Sequence, residues 1–67
     1  MPKVRDAIRL IERDGWRLVR TRGSHRHFRH PDKPGTVTVA GSLSQDLAAG
    51  TWSSILKQAD LDKGALR

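Results

Sequence analysis

All three histidines of the chain and its only phenylalanine lie within residues 23–30, which read Gly-Ser-His-Arg-His-Phe-Arg-His. An imidazole titrates near neutral pH and can therefore take up or release a proton during a reaction. The guanidinium groups on both sides can each donate two hydrogen bonds to a phosphate. A glycine ahead of the serine lets the backbone turn sharply and approach a ligand. The segment therefore indicates a site that holds a phosphodiester and can cut it.

The charge of the chain favours a polyanionic partner. Its 67 residues include 13 Lys and Arg against 7 Asp and Glu, which gives a formal net charge of +6. Such a balance suits RNA, DNA or an acidic protein as partner. Five arginines crowd the segment that holds the histidines: Arg17, Arg20, Arg22, Arg26 and Arg29.

Length and composition limit the class of protein. A chain this short predicts one small domain over residues 1–67. Because the sequence has no cysteine, it has no disulfide and no thiolate metal site, which fits a reducing compartment. It starts with charged residues and has no apolar run near the roughly 20 residues of a membrane helix. We therefore expect a cytoplasmic protein without a membrane anchor.

Two segments have the apolar spacing of amphipathic helices. The first is predicted over residues 3–13, with Pro2 in its first turn and Gly15 as a left-handed cap. The second is predicted from Thr51, as N-cap, to about Asp60. The stripe of each helix recurs at i, i+3, i+4 and i+7: Val4, Ala7, Ile8 and Ile11 in the first, and Trp52, Ile55, Leu56 and Ala59 in the second. A short tail, residues 61–67, follows.

Between the helices, alternation predicts three strands, over residues 16–20, 25–30 and 36–39. Residues 21–24 and 31–35 have turn composition, and residues 40–50 read as a loop. Trp16 and Leu18 share one face of the first strand, and Val37 and Val39 point inward from the third. Three consecutive strands with short turns predict an antiparallel sheet. Two helices on its one apolar face give an α+β two-layer sandwich in the order α-β-β-β-α.

Period two divides the side chains of the second strand between the faces of the sheet. Phe28 is the natural core residue, so His25, His27 and Arg29 should point away from the helices. Arg26 falls on the same side as Phe28 and must lie at the rim or extend its stem to reach water. The other face of the sheet is therefore expected to stay open, with His25 and His27 on it.

His25 is the candidate catalytic residue. RNA cleavage needs no metal if one group takes the proton of a ribose 2′-hydroxyl and another protonates the departing 5′ oxygen. His27 is a candidate for the second transfer, and Ser24 lies next to His25. Arginines near the histidines can stabilise charge on the phosphorane. The other interpretation is that the histidines only bind, or do nothing, on an exposed basic hairpin.

The remaining candidate residues have other possible roles. His25 and His27 could present two imidazoles to one metal ion. His30, a possible third ligand, should project to the opposite face, and Asp32 is the only carboxylate nearby, whereas structural zinc prefers four firm ligands. Trp16 and Trp52 can stack on bases, but their apolar stripes favour core packing, with Trp52 partly exposed. Lys57 is either a phosphate ligand or a solvated helix charge.

The chain resembles the HicA family of small toxins, the mRNA interferases of HicA–HicB toxin–antitoxin pairs. The resemblance covers nearly the whole length. It rests on Gly23-Ser24-His25 followed by Phe28, and on two further blocks, Gly50-Thr51 and Ile55-Leu56-Lys57-Gln58-Ala59. The opening helix followed by Asp14-Gly15-Trp16 also matches in character.

The resemblance implies a fold similar to a double-stranded RNA-binding domain and an activity that cleaves mRNA and halts translation. From the histidine chemistry above, we expect that cleavage to need no metal or cofactor. The family's catalytic histidine corresponds to His25, which a HicB-type antitoxin would cover. With the resemblance in hand, we expect Arg20, Arg22, Gly23, Arg26 and Lys57 to bind RNA. Gly23 and Ser24 would shape the turn that presents His25.

The sequence also departs from the family pattern. Relatives often carry a second histidine where this chain has Arg26, and proline and histidine around Ala40 and Ser42. A glycine is usual at the position of Asp60. If the histidine near the third strand assists catalysis in relatives, Ser42 cannot do that work, and either His27 compensates or the activity is weak. Two alternatives therefore stay open: a non-catalytic module of the double-stranded RNA-binding type, and a degenerate toxin that only binds its antitoxin.

Overall fold

A computed structural model describes residues 1–61 of the chain. The order of elements is α-β-β-β-α, as predicted. The five elements are α1 (Val4–Arg13), β1 (Arg17–Arg22), β2 (His25–Arg29), β3 (Val37–Ala40) and α2 (Ala49–Gln58). The strands form one antiparallel sheet in the order β1-β2-β3, so β2 is central. The predicted α+β architecture, like that of a double-stranded RNA-binding domain, is therefore confirmed.

The hydrophobic core lies between the two helices and one face of the sheet. Phe28, Val37 and Val39 fill it from the strands, and each is almost fully buried. The helices contribute the stripes predicted from their spacing, although Ile8 and Trp52 are only partly buried. Trp16 is buried, as expected, directly before β1. Removing these apolar surfaces from water is the main force that holds the two layers together.

Helix α1 is capped at both ends by residues next to or within it. Lys3 is the N-cap, and its N–H donates to the Asp6 carboxylate at 2.7 Å, which satisfies an orphan donor of the helix start. Pro2 therefore precedes the helix instead of occupying its first turn, which corrects that prediction. The helix ends at Arg13 with Asp14 as its C-cap. Gly15 follows with a φ of 107°, in the left-handed region, so the predicted role of Gly15 as a left-handed cap is confirmed.

The loop between β3 and α2 is tied to the start of α1. The Leu47 N–H donates to the Pro2 carbonyl at 2.7 Å, and the Leu47 side chain is buried. A single bridge pairs Lys3 with Asp46, and the Lys3 ammonium lies 2.8 Å from the Asp46 carboxylate. This hydrogen bond and the lysine charge lower the pKa of Asp46 below its ordinary value. The spacing of residues in the sequence does not predict these contacts between the loop and α1.

Helix α2 begins earlier than predicted. Ala48 is its N-cap, so Thr51 lies inside the first turn and the prediction of Thr51 as N-cap is wrong. The reason is the buried Leu47, which fixes the chain against the core just before Ala48. Residues 62–67 lie outside the described residues, and the predicted tail falls largely there. Within residues 1–61, neither helix is long and apolar enough to cross a membrane.

Strand β1 contains an irregularity that the alternation did not predict. Leu18 pairs with Phe28 and Arg20 pairs with His27, so Val19 is an extra residue on β1. Such a β-bulge changes which face the following residues occupy. Leu18 and Val19 are 50% and 57% exposed, because β1 is an edge strand and the helices pack mainly over β3.

Candidate nucleic-acid interface

The hairpin of β1 and β2 brings His25 and His27 to a face of the sheet that the helices do not cover. Residues Gly23 and Ser24 form its two-residue turn, since Arg22 pairs with His25. Gly23 has a φ of 57° and Ser24 does not have a positive φ, which is the pattern of a type II′ turn. This turn matches the twist of the strands, so His25 begins β2 with its side chain exposed.

Cross-strand pairs define the neighbours of each histidine on this face, which we call the open face. Residues directly opposite one another on adjacent strands project to the same side of a sheet. His25 lies between Arg22 on β1 and Ala40 on β3, and the small Ala40 side chain leaves space beside the imidazole. The open face is made by three rows across the strands: Arg22-His25-Ala40, Arg20-His27-Thr38 and Arg17-Arg29. Thr36 lines the concavity near the third row.

The bulge at Val19 explains how the arginines reach the histidines. Strict alternation from Leu18, which faces the core side, would put Arg20 and Arg22 on that side too. The extra residue reverses this, and Arg20 and Arg22 pair with His27 and His25 on the open face. Four guanidinium groups and two imidazoles therefore share one surface.

These guanidinium groups have no carboxylate partner in the described part of the chain. The ion pairs found within residues 1–61 are Lys3–Asp46, Lys33–Asp14 and a longer contact of His30 with Asp14. None of these pairs includes an arginine. Unpaired guanidinium groups on one face attract polyanions and bind phosphate oxygens directly.

His27 lies in the middle of the open face and is half-buried. Its Nδ1 is 3.0 Å from the Thr38 hydroxyl, so one ring nitrogen is engaged by β3. A concavity of about 240 Å³ adjoins the ring, and the residues that line it come from all three strands or their ends: Val19, Arg20, His27, Arg29 and Thr36. His25, the predicted catalyst, stands outside this concavity near the hairpin turn.

The structure places Arg26 away from the histidines. It pairs with Thr21 and Val39, so it projects to the core side of the sheet. Its guanidinium donates to the Gly41 carbonyl at 2.8 Å, while the Gly41 N–H donates to the Ser24 carbonyl at 3.1 Å. Arg26 therefore holds the end of β3 against the hairpin. Its place at the rim of the sheet is one of the two positions expected from the sequence.

The other candidates are spread over the molecule. Gly23 and Ser24 are exposed at the turn next to His25, and Lys57 is exposed on α2, in the helical layer. His30 lies on the opposite side from His25 and His27, where its Nε2 is 2.6 Å from the Asp14 carbonyl. The expectation that the three histidines do not converge agrees with this placement.

Some residues of the open face received no specific binding role from the sequence. The sequence gives Arg17 no role beyond the basic cluster and gives Thr38 none. Arg29 is predicted to share the face of His25 and His27, but without a binding role. The alternation of β2 does put Arg29 beside His27, so this signal was available. Nothing in the composition of β1 marks Val19 as the bulge that lines the concavity.

Comparison with known proteins places the chain in a family. A family model described as "HicA toxin of bacterial toxin-antitoxin" matches residues 4–61, which is most of the chain. Among curated proteins, no sequence matches the chain closely enough to be reported as a relative. The matched range includes every strand of the open face and both helices.

Proposed function

Because the chain belongs to the HicA family of toxins from bacterial toxin–antitoxin systems, we propose that it is a metal-independent endoribonuclease that cleaves mRNA and blocks translation. His25 is the proposed catalytic residue, and the open face is the proposed surface for RNA. We place its action in the cytoplasm, where mRNA is translated.

The chemistry proposed is an attack of the ribose 2′-oxygen on the adjacent phosphorus. A base removes the 2′-hydroxyl proton, the new P–O bond forms, and the bond to the 5′ oxygen breaks as an acid protonates that oxygen. His25 performs one of these proton transfers and water at the exposed surface performs the other, while His27, one row further along β2, assists without transferring a proton. Arg22, opposite His25, is placed to stabilise negative charge on the phosphorane.

One observation carries this proposal: an exposed imidazole stands in a surface of guanidinium groups that have no carboxylate partner within residues 1–61. A histidine sealed in the core could not reach a ribose-phosphate linkage, and a surface neutralised by carboxylates would not bind one. Arg20 and Arg22 are the proposed backbone ligands, with the Gly23–Ser24 turn beside them. Lys57 lies in the other layer and would contact RNA only beyond the open face.

We further propose that a HicB-type antitoxin neutralises the toxin by covering His25. The resemblance supports this partner, and the positive open face fits a partner that presents acidic groups. Co-expression of the neighbouring reading frame provides a direct check. We expect a stable complex in which added RNA is not cut.

The proposal is tested by growth arrest in cells that express the chain. His25→Ala should abolish arrest and the loss of full-length mRNA, because it removes the proton-transfer group while leaving an exposed position without core contacts. Arg9→Gln, on the exposed side of α1, is the matched control and should remain toxic.

Equal toxicity of His25→Ala and the unchanged protein would contradict the assignment of His25. RNA binding without cut products, insensitive to His25→Ala, would favour the non-catalytic RNA-binding module instead. Tight antitoxin binding without toxicity in the unchanged protein would identify a degenerate toxin.

A further inference from the structure

The concavity beside His27 is a separate feature of the open face from the neighbourhood of His25. We propose that it is a second phosphate-binding subsite, which holds a phosphate next to the one that is cut. This inference deepens the proposed function, since it names a further contact on the same RNA surface. It rests on the arrangement of three strands around His27.

The walls of the concavity supply two guanidinium groups to one small volume. Arg20 is directly opposite His27 on β1, at a Cβ separation of about 5 Å for such pairs. Arg29 is two residues further along β2, on the same face. The bulge at Val19 adds an apolar wall, because the extra residue also lines the concavity. A ligand here meets cationic donors and one apolar side chain.

Thr38 orients the ring of His27 toward this space. Its hydroxyl is 3.0 Å from Nδ1, and when it donates to Nδ1 the ring proton resides on Nε2. Nε2 lies on the far side of the ring and can then donate to a phosphate oxygen. Thr38 is thus a positioning residue, while His27, Arg20 and Arg29 are the groups that contact the anion.

The concavity is small and open to solvent on one side. Its volume of about 240 Å³ is below the roughly 300–1,000 Å³ of pockets that enclose drug-sized molecules. A ribose-phosphate unit fits this chemistry better than an entire nucleotide. His25 and His27 are two residues apart on one face, about 7 Å along an extended strand. A single RNA strand that runs along β2 would therefore present one phosphate to each histidine.

The test measures binding to RNA that cannot be cut. A single-stranded RNA hexamer with 2′-O-methyl groups lacks the attacking hydroxyl, so its affinity is measured without any reaction. We expect His27→Phe to weaken binding by about tenfold, because Phe keeps a ring in the strand but has no donor. Arg29→Gln should lower the slope of log affinity against log salt by about 0.7, the value for one lost phosphate contact on a single strand. Arg9→Gln should change neither quantity.

Thr38→Val removes only the hydroxyl and keeps the branched side chain in β3. We expect it to weaken binding about threefold in the unchanged background and to have no further effect in His27→Phe. The ¹⁵N shifts of the His27 ring should also report a changed tautomer in Thr38→Val, which a purely structural role would not produce. Thermal melting of each variant verifies that the fold is retained.

The outcomes separate this inference from the proposed function. If folded His27→Phe binds the hexamer as tightly as the unchanged protein, the subsite is wrong, even if His25→Ala abolishes cleavage. If His27→Phe and Arg29→Gln lose affinity as expected, the subsite stands, even if His25→Ala still cuts RNA. An additive loss in the double variant His27→Phe/Thr38→Val would overturn the role of Thr38.

Discussion

At the scale of single residues, two histidines of the same hairpin region have opposite surroundings. His25 is exposed on the open face. The His30 side chain is 7% exposed and makes three polar contacts: its Nδ1 accepts from the N–H groups of Asp32 and Lys33, and its Nε2 donates to the Asp14 carbonyl. Its ring also packs edge-on against Trp16, with centroids 5.4 Å apart. His30 therefore joins the turn after β2 to the end of α1.

This contrast predicts different effects of the same substitution. His30→Ala should lower the free energy of unfolding by about 2–3 kcal/mol, because it leaves buried polar groups without partners and opens a cavity beside Trp16. His25→Ala should change it by less than about 0.5 kcal/mol. Urea unfolding of both variants measures the difference. Equal losses of stability would contradict the structural role of His30.

Arg22 and Arg26 form a second contrasting pair of residues, one on each face of the sheet. Arg22→Gln should lower the salt dependence of RNA affinity by about 0.7 in slope, with stability unchanged. Arg26→Gln should instead cost about 1 kcal/mol of stability, since it loses the hydrogen bond to the Gly41 carbonyl. Titrations at several salt concentrations and urea unfolding distinguish the two. A reduced slope for Arg26→Gln alone would show that Arg26 contacts RNA after all.

At the scale of elements, most of the fold could be predicted from periodicity. The stripes of α1 and α2 and the inward Phe28, Val37 and Val39 follow directly from spacing, because burial imposes it. The bulge could not be predicted, since it depends on how β1 pairs with β2 and not on the composition of β1. Val19 decides which face of the sheet Arg20 and Arg22 occupy. Their place beside His25 and His27 therefore had to come from the structure. The early start of α2 was missed for a similar reason, the packing of Leu47.

The end of α2 gives a prediction about a helix terminus. Asp60 has a φ of 57°, while the N–H groups of Asp60 and Leu61 bond back to the carbonyls of Lys57 and Leu56. This is a Schellman motif, in which glycine is the favoured residue at the left-handed position. Asp60 also puts a negative charge at the negative end of the helix dipole. Glycine would therefore suit this position better than aspartate.

Asp60→Gly should raise the free energy of unfolding by about 1 kcal/mol, because it relieves the left-handed strain and the unfavourable charge. Asp60→Asn removes the charge but keeps a side chain, so its gain should be smaller. Thermal or urea unfolding of both variants compares them. An Asp60→Gly protein no more stable than the unchanged one would mean that Asp60 is not strained.

At the scale of the whole molecule, the sandwich separates stability from the proposed activity. The core and the hydrogen bonds of His30 and Arg26 lie on the helix side of the sheet, and the open face holds unpaired cations. With a formal net charge of +6, the molecule attracts RNA over a distance set by the Debye length, about 8 Å at physiological salt. Substitutions on the open face should therefore alter binding and cleavage with little effect on folding.

Cleavage by His25 without a metal is tested most directly with the purified protein and a labelled single-stranded RNA in the presence of EDTA. We expect the unchanged protein to cut the RNA despite the chelator, and to leave the same strand intact when it carries 2′-O-methyl groups. His25→Ala, folded and still bound to the RNA, should yield no products. Cleavage that EDTA abolishes, or that continues in His25→Ala, would contradict the claim that an imidazole on the open face cuts RNA without a metal.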